Sequence, residues 1–266
     1  MIPIKTEQEI KIMQEGGWLL AKILQALAEK VRPGVTTSEL DKVAQDLVFA
    51  CGAKPAFLGY QDFPATLCTS INEQVVHGVP LARRLEEGDI IGLDLGILYP
   101  FGKCSHCAMG ATCNPENKPF FTDAAITVAV GDISGEAEKL IKVAKTALGA
   151  AVEKIKPGAH LGDVSSTIQK YVESEGFSVI RQLVGHGIGE KLHEEPEIPN
   201  FGEPGEGPIL KEGMTLAIEP MIAAGNYKIK LGQDGFAYET VDKSLAAHFE
   251  HTLAVTKEGC QVLTQV

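Results

Sequence analysis

Apolar residues recur every three or four positions in two long stretches of the chain, at about residues 6–30 and 135–155. This spacing is typical of an amphipathic α-helix with one buried face. The first stretch carries Ile10, Met13, Leu20, Ile23, Leu24 and Leu27, and the second Leu140, Val143, Ala147, Leu148, Val152 and Ile155. Short aliphatic runs such as IIGLDLGIL and TLAIEPMI follow acid–Gly pairs and predict strands. The pattern therefore predicts a mixture of helices and strands.

Each helical stretch is followed by a similar segment, which indicates an internal repeat. Residues 32–52 read RPGVTTSELDKVAQDLVFACG, and residues 156–176 read KPGAHLGDVSSTIQKYVESEG. In both segments a basic residue, Pro and Gly come first, an acid and an aliphatic residue align next, and a Gly closes the segment. A single match of this length can arise by chance.

The similarity continues downstream in the same order. EEGDIIGLDLG at 86–96 matches KEGMTLAIEPM at 211–221, and VVHGV around His77 resembles VGHGI around His186. Asp123 is predicted to open the strand DAAITVAV, as Glu250 opens EHTLAVT. Five ordered matches favour a duplication with two α+β halves, at about 1–130 and 131–266, in one domain. Their antiparallel strands are expected to combine into one central sheet around a pseudo-two-fold axis.

Composition and charge narrow the class of protein. The chain has 266 residues, of which 44% are hydrophobic and 22% charged, and this excludes a disordered or fibrous protein. A net charge of −11 argues against direct binding of nucleic acid or of an anionic membrane surface. No apolar run approaches the roughly 20 residues that span a bilayer, and the start lacks a secretory signal. Six Cys in a chain of this length do not suggest a disulfide scaffold, so a cytoplasmic protein is expected.

Four carboxylates lie in or beside the predicted apolar strands: Asp94, Asp123, Glu219 and Glu250. A buried carboxylate is costly unless it is paired or binds a metal. A single one is most often part of a salt bridge, but these strands hold no matching basic residues. Together with His186 in VGHGIG, the set favours divalent cations. Oxygen ligands with one imidazole suit Mn²⁺, Fe²⁺, Co²⁺ or Zn²⁺, and bridging carboxylates suit a pair of ions.

The order of these motifs resembles that of a known family. LDLG, TDAAITVAVG, VGHGIG with HEEP, AIEPM and FEHT, preceded by SINEQVVHGVP, look like the type I methionine aminopeptidases, the compact bacterial form of the pita-bread metallopeptidases. The resemblance runs from about residue 4 to the C-terminus, except for one internal stretch. It implies the pita-bread (creatinase/aminopeptidase-like) α+β fold, with two pseudo-two-fold related halves around a central antiparallel sheet.

The resemblance also implies roles for the metal ligands. Asp94 would chelate one of two divalent ions, and Asp123 and Glu250 would bridge both. His186 and Glu219 would complete the coordination of the other ion. Glu219 would in addition move protons to and from the water between the ions. The ligand set does not select among Co, Mn, Fe and Zn.

Two further histidines and a pocket follow from the same resemblance. His77 would hold the substrate near its first peptide bond, and His193 in HEEP would donate to the scissile carbonyl or its oxyanion. The alternative for each is a structural histidine. The methionine side chain would enter a pocket with His77 at its wall, lined by Tyr60, Phe63, Cys68 and Phe236. Aromatic walls suit a polarizable thioether, although the same residues can be ordinary core.

One internal stretch departs from the resemblance. PFGKCSHCAMGATCNPENKP at 100–119 is inserted where the compact family form has a short hairpin between the first two ligands. It carries three thiols and an imidazole: Cys104, His106, Cys107 and Cys113. A zinc-type Cys₃His clip is one interpretation, and a surface loop with reduced cysteines is the other, with a disulfide or redox role as a third. The spacing is not that of a standard zinc finger.

The function implied is removal of the initiator methionine from nascent polypeptides whose second residue is small. A metal-bound hydroxide would attack the first peptide bond, which makes the protein a metallo-exopeptidase. Ribosome association is compatible with this activity, but no segment encodes it visibly, and the resemblance favours a monomer.

Two alternatives remain. A related X-Pro aminopeptidase usually has a large N-terminal domain, whereas this chain starts with the first helix of the repeat. A pita-bread binding protein without catalysis would have lost ligands, whereas all five ligand positions are filled here.

Overall fold

The structure is a computed structural model that describes residues 1–101 and 117–266. The cysteine and histidine cluster of the insertion, with Cys104, His106, Cys107 and Cys113, lies outside the described residues. The site residues named in the family resemblance all lie within them. The fold can therefore be compared with the predictions everywhere except in this insertion.

Four α-helices occur in the described residues: α1 (Glu7–Ala28), α2 (Thr37–Ala50), α3 (Gly135–Val152) and α4 (Leu161–Ser174). The two predicted helical stretches are confirmed as α1 and α3. Helix α1 begins where the Thr6 hydroxyl accepts the Glu9 N–H at 3.3 Å and the Glu9 carboxylate accepts the Thr6 N–H at 2.7 Å. This reciprocal cap satisfies two backbone donors at the helix start. None of the four described helices is long and apolar enough to cross a membrane.

Fifteen strands occur in the same residues, and all their pairings are antiparallel. They are β1 (Lys54–Pro55), β2 (Cys68–Ile71), β3 (Gln74–Val76), β4 (Ile90–Tyr99), β5 (Phe120–Ala129), β6 (Ser178–Val179), β7 (Val184–Gly187), β8 (Glu194–Pro199), β9 (Thr215–Ile218), β10 (Met221–Ala223), β11 (Ile229–Leu231), β12 (Tyr238–Thr240), β13 (Ala246–His248), β14 (Glu250–Thr256) and β15 (Gly259–Val262). Nine form the main sheet, in the order β1-β4-β5-β14-β9-β7-β8, with β2 on β4 and β15 on β14. Two three-stranded sheets, β13-β10-β6 and β11-β12-β3, complete the set.

Strands β5 and β14 pair at the centre of the main sheet. Threonine hydroxyls bond to backbone groups beside this pairing. The Thr252 Oγ1 accepts the Asp123 N–H at 2.9 Å and donates to the Asp123 carbonyl at 2.8 Å. Further along β5, the Thr127 Oγ1 accepts the N–H of His248, the last residue of β13, at 2.9 Å and donates to its carbonyl at 2.8 Å. Buried backbone groups that the strands leave open are thereby satisfied on both sides.

One predicted boundary was wrong. Asp123 was expected to open its strand, but β5 begins at Phe120, so Asp123 is the fourth residue of the strand. The reason is the long pairing of β4 with β5, which continues to Tyr99 opposite Phe120. Asp123 is therefore held on both sides by neighbouring strands.

The core consists mainly of two apolar clusters, one beneath each pair of helices. Leu20 and Ile23 of α1 pack with Leu93 of β4 in one cluster. Leu140 of α3 packs with Leu253 of β14 in the other. Burying each such side chain contributes about 1.5–3 kcal/mol to the free energy of folding. The helices therefore pack firmly against one face of the central sheet and leave its other face open. The expected α+β architecture with a central antiparallel sheet is confirmed.

Candidate metal centre and active-site cavity

Every candidate site residue in the described part of the chain lines one cavity of about 920 Å³. These residues come from both halves of the sequence. They are Tyr60, Phe63, Cys68, His77, Asp94, Asp123, His186, His193, Glu219, Phe236 and Glu250. The structure thus brings together the residues that the family resemblance named.

Strand register places three of the carboxylates on one face of the main sheet. Asp94 lies opposite Ala125, and Glu250 lies opposite Ala125 from the other side. Asp123 lies opposite Gly96, two residues from Asp94. Cross-strand partners share a face and side chains alternate along a strand, so all three carboxylates project from the same side. Gly96 has no side chain to occupy that side.

The same register brings the remaining two candidates to this face. His186 lies opposite Ala217 of β9, and Glu219 follows Ala217 by two residues. Ala217 in turn lies opposite Thr252, which follows Glu250 by two residues. Three neighbouring strands of one sheet, β7, β9 and β14, therefore bring His186, Glu219 and Glu250 together.

The potential ligand atoms lie close together. One ligand atom each of Asp123, His186 and Glu250 lie within 4.8 Å of one another. The Glu219 Oε1 lies 3.7 Å from the His186 Nε2. Asp94 adjoins Asp123, which raises its pKa as described below. The five side chains form a single cluster at the base of the cavity.

The cluster concentrates negative charge in a buried place. Burial, and next to it the neighbouring Asp123, raise the pKa of Asp94 well above its ordinary value. Burial raises the pKa of Asp123 to about 7. Burial followed by the nearby carboxylates also raises the pKa of Glu219 and of Glu250. A carboxylate cluster of this kind is ionised at neutral pH only if a cation compensates the charge.

The protonation of His186 leaves a nitrogen in this cluster that can bind a cation. Its Nδ1 lies 2.9 Å from the Gly187 carbonyl, which can only accept, so Nδ1 carries the proton and Nε2 presents a lone pair. This lone pair faces Glu219, another acceptor. The Oδ1 atoms of Asp94 and Asp123 are buried without hydrogen-bond partners. Divalent ions would satisfy all these acceptors at once, and oxygen ligands with one imidazole suit Mn²⁺, Fe²⁺, Co²⁺ or Zn²⁺.

Two more histidines face the cavity above this cluster. The ring centroid of His193 lies 4.3 Å from that of His186, and the Tyr60 hydroxyl lies 2.8 Å from the His193 Nδ1. His77 has a φ of 60°, a left-handed conformation that is uncommon outside Gly, and its ring contacts Tyr238 at 5.9 Å. Burial, and then the nearby His193, lower the pKa of His77 to about 4, and burial lowers the pKa of His193.

An apolar pocket adjoins the cluster. The rings of Phe63 and Phe236 pack edge to face at 5.6 Å between centroids. Cys68 lies opposite Asp94 in the pairing of β2 with β4, and it packs with Phe63. Burial and the neighbouring carboxylates raise the pKa of the Cys68 thiol, which keeps it protonated and uncharged. The pocket offers a thiol and two aromatic rings to an apolar side chain.

Comparison with known proteins identifies the family. The family model described as metallopeptidase family M24 matches residues 11–257. The chain belongs to metallopeptidase family M24. Its carboxylate and histidine cluster therefore lies in a chain of a family described as metallopeptidases, which agrees with the donor set of the cluster.

Relatives of this M24 chain cover its whole length. It is 46% identical to a protein named methionine aminopeptidase from Clostridium perfringens, over 100% of both chains. The crystal structure of the Thermotoga maritima methionine aminopeptidase superposes with a TM-score of 0.91 at 40% identity, covering 100% of both chains. A prolidase from Pyrococcus horikoshii superposes with a TM-score of 0.75 at 25% identity, and 63% of its chain is covered. The pita-bread fold implied by the resemblance is confirmed.

One residue at this M24 site was missed in the sequence. His248 is buried, and its Nε2 lies 3.5 Å from the Glu219 Oε2. Burial, and then the nearby His77, lower its pKa to about 3. His248 has no counterpart among the repeat matches, which is why it was overlooked. The available signal was its position two residues before Glu250, within an apolar run.

Proposed function

We propose that this chain is a methionine aminopeptidase, which removes the initiator methionine from nascent polypeptides with a small second residue. The observation that carries the proposal is the cluster of four carboxylates and His186 at the base of a cavity with an apolar pocket. It occurs in a metallopeptidase chain whose full-length relatives are named methionine aminopeptidases. The action on new chains favours the cytoplasm as its location.

The cluster would hold two divalent ions. Asp94, Asp123, His186, Glu219 and Glu250 would hold them, with Asp123 and Glu250 as the ligands that the family resemblance implies would be shared. One ligand atom each of Asp123, His186 and Glu250 lie within 4.8 Å of one another, and the Glu219 Oε1 lies 3.7 Å from the His186 Nε2. When bound, such ions lower the pKa of water and polarise a carbonyl oxygen. The donor atoms suit Co, Mn, Fe or Zn, and each of these is a candidate.

The protein's own groups would handle protons and position the substrate. The Glu219 carboxylate would take a proton from the attacking water and return it to the leaving amine. The Tyr60 hydroxyl, 2.8 Å from the His193 Nδ1, can donate to that nitrogen, which leaves the His193 Nε2–H free to donate to the scissile carbonyl oxygen. His77 would hold the substrate beside its first peptide bond.

The pocket would select the first residue. Phe63, Phe236 and the uncharged Cys68 form a soft, apolar surface that suits a thioether, with Tyr60 at its mouth. The acidic base of the cavity would bind the free α-amine of the substrate. Only the first residue of a polypeptide has such an amine, so cleavage would be restricted to the N-terminus.

Peptide cleavage by chelator-stripped protein, with and without added Mn²⁺ or Co²⁺, tests this proposal. The paired substrates are Met-Ala-Ser and Ala-Pro-Ser, because prolidases share the fold. We expect metal-dependent release of Met with Ala-Pro-Ser left intact. Cleavage of Ala-Pro-Ser instead would assign an X-Pro peptidase. Cleavage of neither substrate by the metal-loaded protein would indicate a binding protein.

A further inference from the structure

We propose that His248 is a positioning residue that holds one oxygen of the Glu219 carboxylate by donation from its Nε2. The starting observation is an unsatisfied group. The side chain of His248 is 4% exposed, and its Nε2 has no hydrogen-bond partner in the structure. A buried donor without a partner is costly, so a nearby acceptor is expected to meet it once the site is assembled.

That acceptor is the Glu219 Oε2, 3.5 Å from the His248 Nε2. The other oxygen of the same carboxylate, Oε1, lies 3.7 Å from the His186 Nε2. Glu219 therefore stands between two imidazoles, one facing each oxygen. His186 presents a lone pair, since its Nδ1 donates to the Gly187 carbonyl. Oε1 and the His186 Nε2 would hold a cation together, and Oε2 would then accept from the His248 Nε2.

The backbone of His248 is fixed for this role. The Thr127 hydroxyl bonds to both its N–H and its carbonyl, at 2.9 and 2.8 Å. His248 also lies opposite Met221 in the pairing of β10 with β13, two residues beyond Glu219. The backbone of His248 is thus held from the adjacent strands, and its imidazole lies near the carboxylate oxygen of Glu219 that His186 does not approach.

The consequence concerns how the carboxylate is oriented. A carboxylate can rotate and exchange its two oxygens at a metal, and a fixed donor to one oxygen selects a single orientation. Outer groups that orient metal ligands in this way change metal affinity or activity by about 10- to 100-fold when they are replaced. Since the role of Glu219 in substrate turnover belongs to the proposed function, the expected effect on activity rests on that function, whereas the expected effect on metal affinity does not.

Two substitutions of His248 distinguish the loss of its hydrogen-bond donor from a change in side-chain shape. His248→Leu removes the donor, and His248→Gln keeps an amide N–H at similar reach. His251→Gln is the control, because this imidazole bonds to Thr264 and lies on the opposite side of β14 from Glu250. For each protein, Mn²⁺ affinity is measured by calorimetry, the number of bound ions by equilibrium dialysis, and kcat and KM with Met-Ala-Ser. Thermal unfolding in chelator verifies folding.

We expect His248→Leu to weaken Mn²⁺ binding by about 10- to 100-fold and to lower kcat by a similar factor, with KM little changed. His248→Gln should stay within about threefold of the parent in both, and His251→Gln should match the parent. Equal impairment of His248→Gln and His248→Leu would overturn the inference, as would unchanged affinity in both. Loss of one bound ion in His248→Gln would show a metal ligand instead. If the parent releases no Met, the proposed function fails, and the Mn²⁺ affinities of the parent and the two His248 variants still test the positioning role of His248.

Discussion

At the scale of single residues, the site depends on which nitrogen or oxygen of each side chain is free. His186 donates from Nδ1 to the Gly187 carbonyl, so only its Nε2 can bind a cation. His193 has the reverse arrangement, since the Tyr60 hydroxyl can donate to its Nδ1. Two neighbouring imidazoles thereby acquire different chemistry, one with a lone pair that can bind a cation and the other with an N–H that can donate.

His193→Ala should lower kcat by about 100- to 1,000-fold, because it removes a donor to the oxyanion. Tyr60→Phe should lower kcat by only about 3- to 10-fold, since it weakens the orientation of a donor that is still present. Steady-state release of Met from Met-Ala-Ser measures both. Equal losses in the two variants would contradict the assigned roles.

The acidic cluster should make the metal-free protein less stable as the pH rises. Burial raises the pKa of Asp123 to about 7 from an ordinary value of 3.8, so its contribution is fully present below pH 4 and is lost as the pH rises to 7. In chelator, the free energy of unfolding of the parent should therefore fall relative to that of Asp123→Asn over this range. Urea denaturation at several pH values measures the difference.

Buried histidines have the opposite effect on stability, which they raise as the pH rises. Comparing the free energy of unfolding of the parent with that of Asp123→Asn cancels this contribution. The pKa values of His77 and His186 are lowered to about 4, so each contributes stability that is lost as the pH falls through that value. Both proteins contain these histidines. Stability profiles that run parallel between pH 4 and 7 would show that Asp123 does not titrate as described.

At the scale of elements, threonine hydroxyls fix the backbone of Asp123 and of His248 to neighbouring strands. The Thr252 hydroxyl of β14 bonds to Asp123 of β5, and the Thr127 hydroxyl of β5 bonds to His248 at the end of β13. Each hydroxyl both accepts and donates, which satisfies an N–H and a carbonyl at once. Both residues at the site are thus held by hydroxyl bonds as well as by their own strands.

Thr252→Val should destabilise the protein by about 1–3 kcal/mol, because it leaves the N–H and the carbonyl of Asp123 buried without partners. Thr252→Ser keeps the hydroxyl and should cost only about 1 kcal/mol for the lost methyl group. Chemical denaturation of the three proteins compares them. A larger loss in the Ser variant would mean that volume matters here more than the hydroxyl.

At the scale of the whole molecule, a buried ion pair joins the N-terminal segment to the strand that follows His193. The Lys5 Nζ lies 2.6 Å from the Glu194 Oε2, and the two side chains are 3% and 6% exposed. The residues are 189 positions apart in the sequence. The pair holds the start of the chain against one wall of the cavity, which Glu194 lines.

Lys5→Met should destabilise the protein by about 3–5 kcal/mol, because Glu194 would remain buried and unpaired. Adding Glu194→Gln should recover much of this loss, since the uncompensated charge is then removed. The exposed pair Lys42–Asp46 provides the control, and Lys42→Met should cost at most about 1 kcal/mol. No recovery in the double variant would contradict a role of charge compensation.

Much of this architecture could be predicted from the chain alone, for identifiable reasons. Asp94, Asp123, Glu219 and Glu250 are conspicuous because each lies in or beside an aliphatic run. The α1 and α3 helices are conspicuous because apolar residues recur at helical spacing over a long stretch of each. Strand alternation then places the carboxylates on one face without further information.

Other features depend on contacts that no local pattern encodes. The start of β5 at Phe120 is set by its pairing with β4. The contact of Tyr60 with His193 spans 133 positions, and the approach of His248 to Glu219 depends on the register of β10 with β13. Such pairs follow from packing of the whole chain, and they determine proton positions within the site.

The central claim is that the five clustered side chains hold two divalent ions on which peptide cleavage depends. The most direct test counts Mn²⁺ ions per chain by equilibrium dialysis in the samples whose Met release from Met-Ala-Ser is measured. Mn²⁺ prefers oxygen ligands to thiolates, so the cysteines at 104, 107 and 113 should contribute little to the count. We expect two ions at saturation, no release without metal, and loss of both bound metal and release in Asp123→Asn. Undiminished release from protein without bound metal would contradict the account.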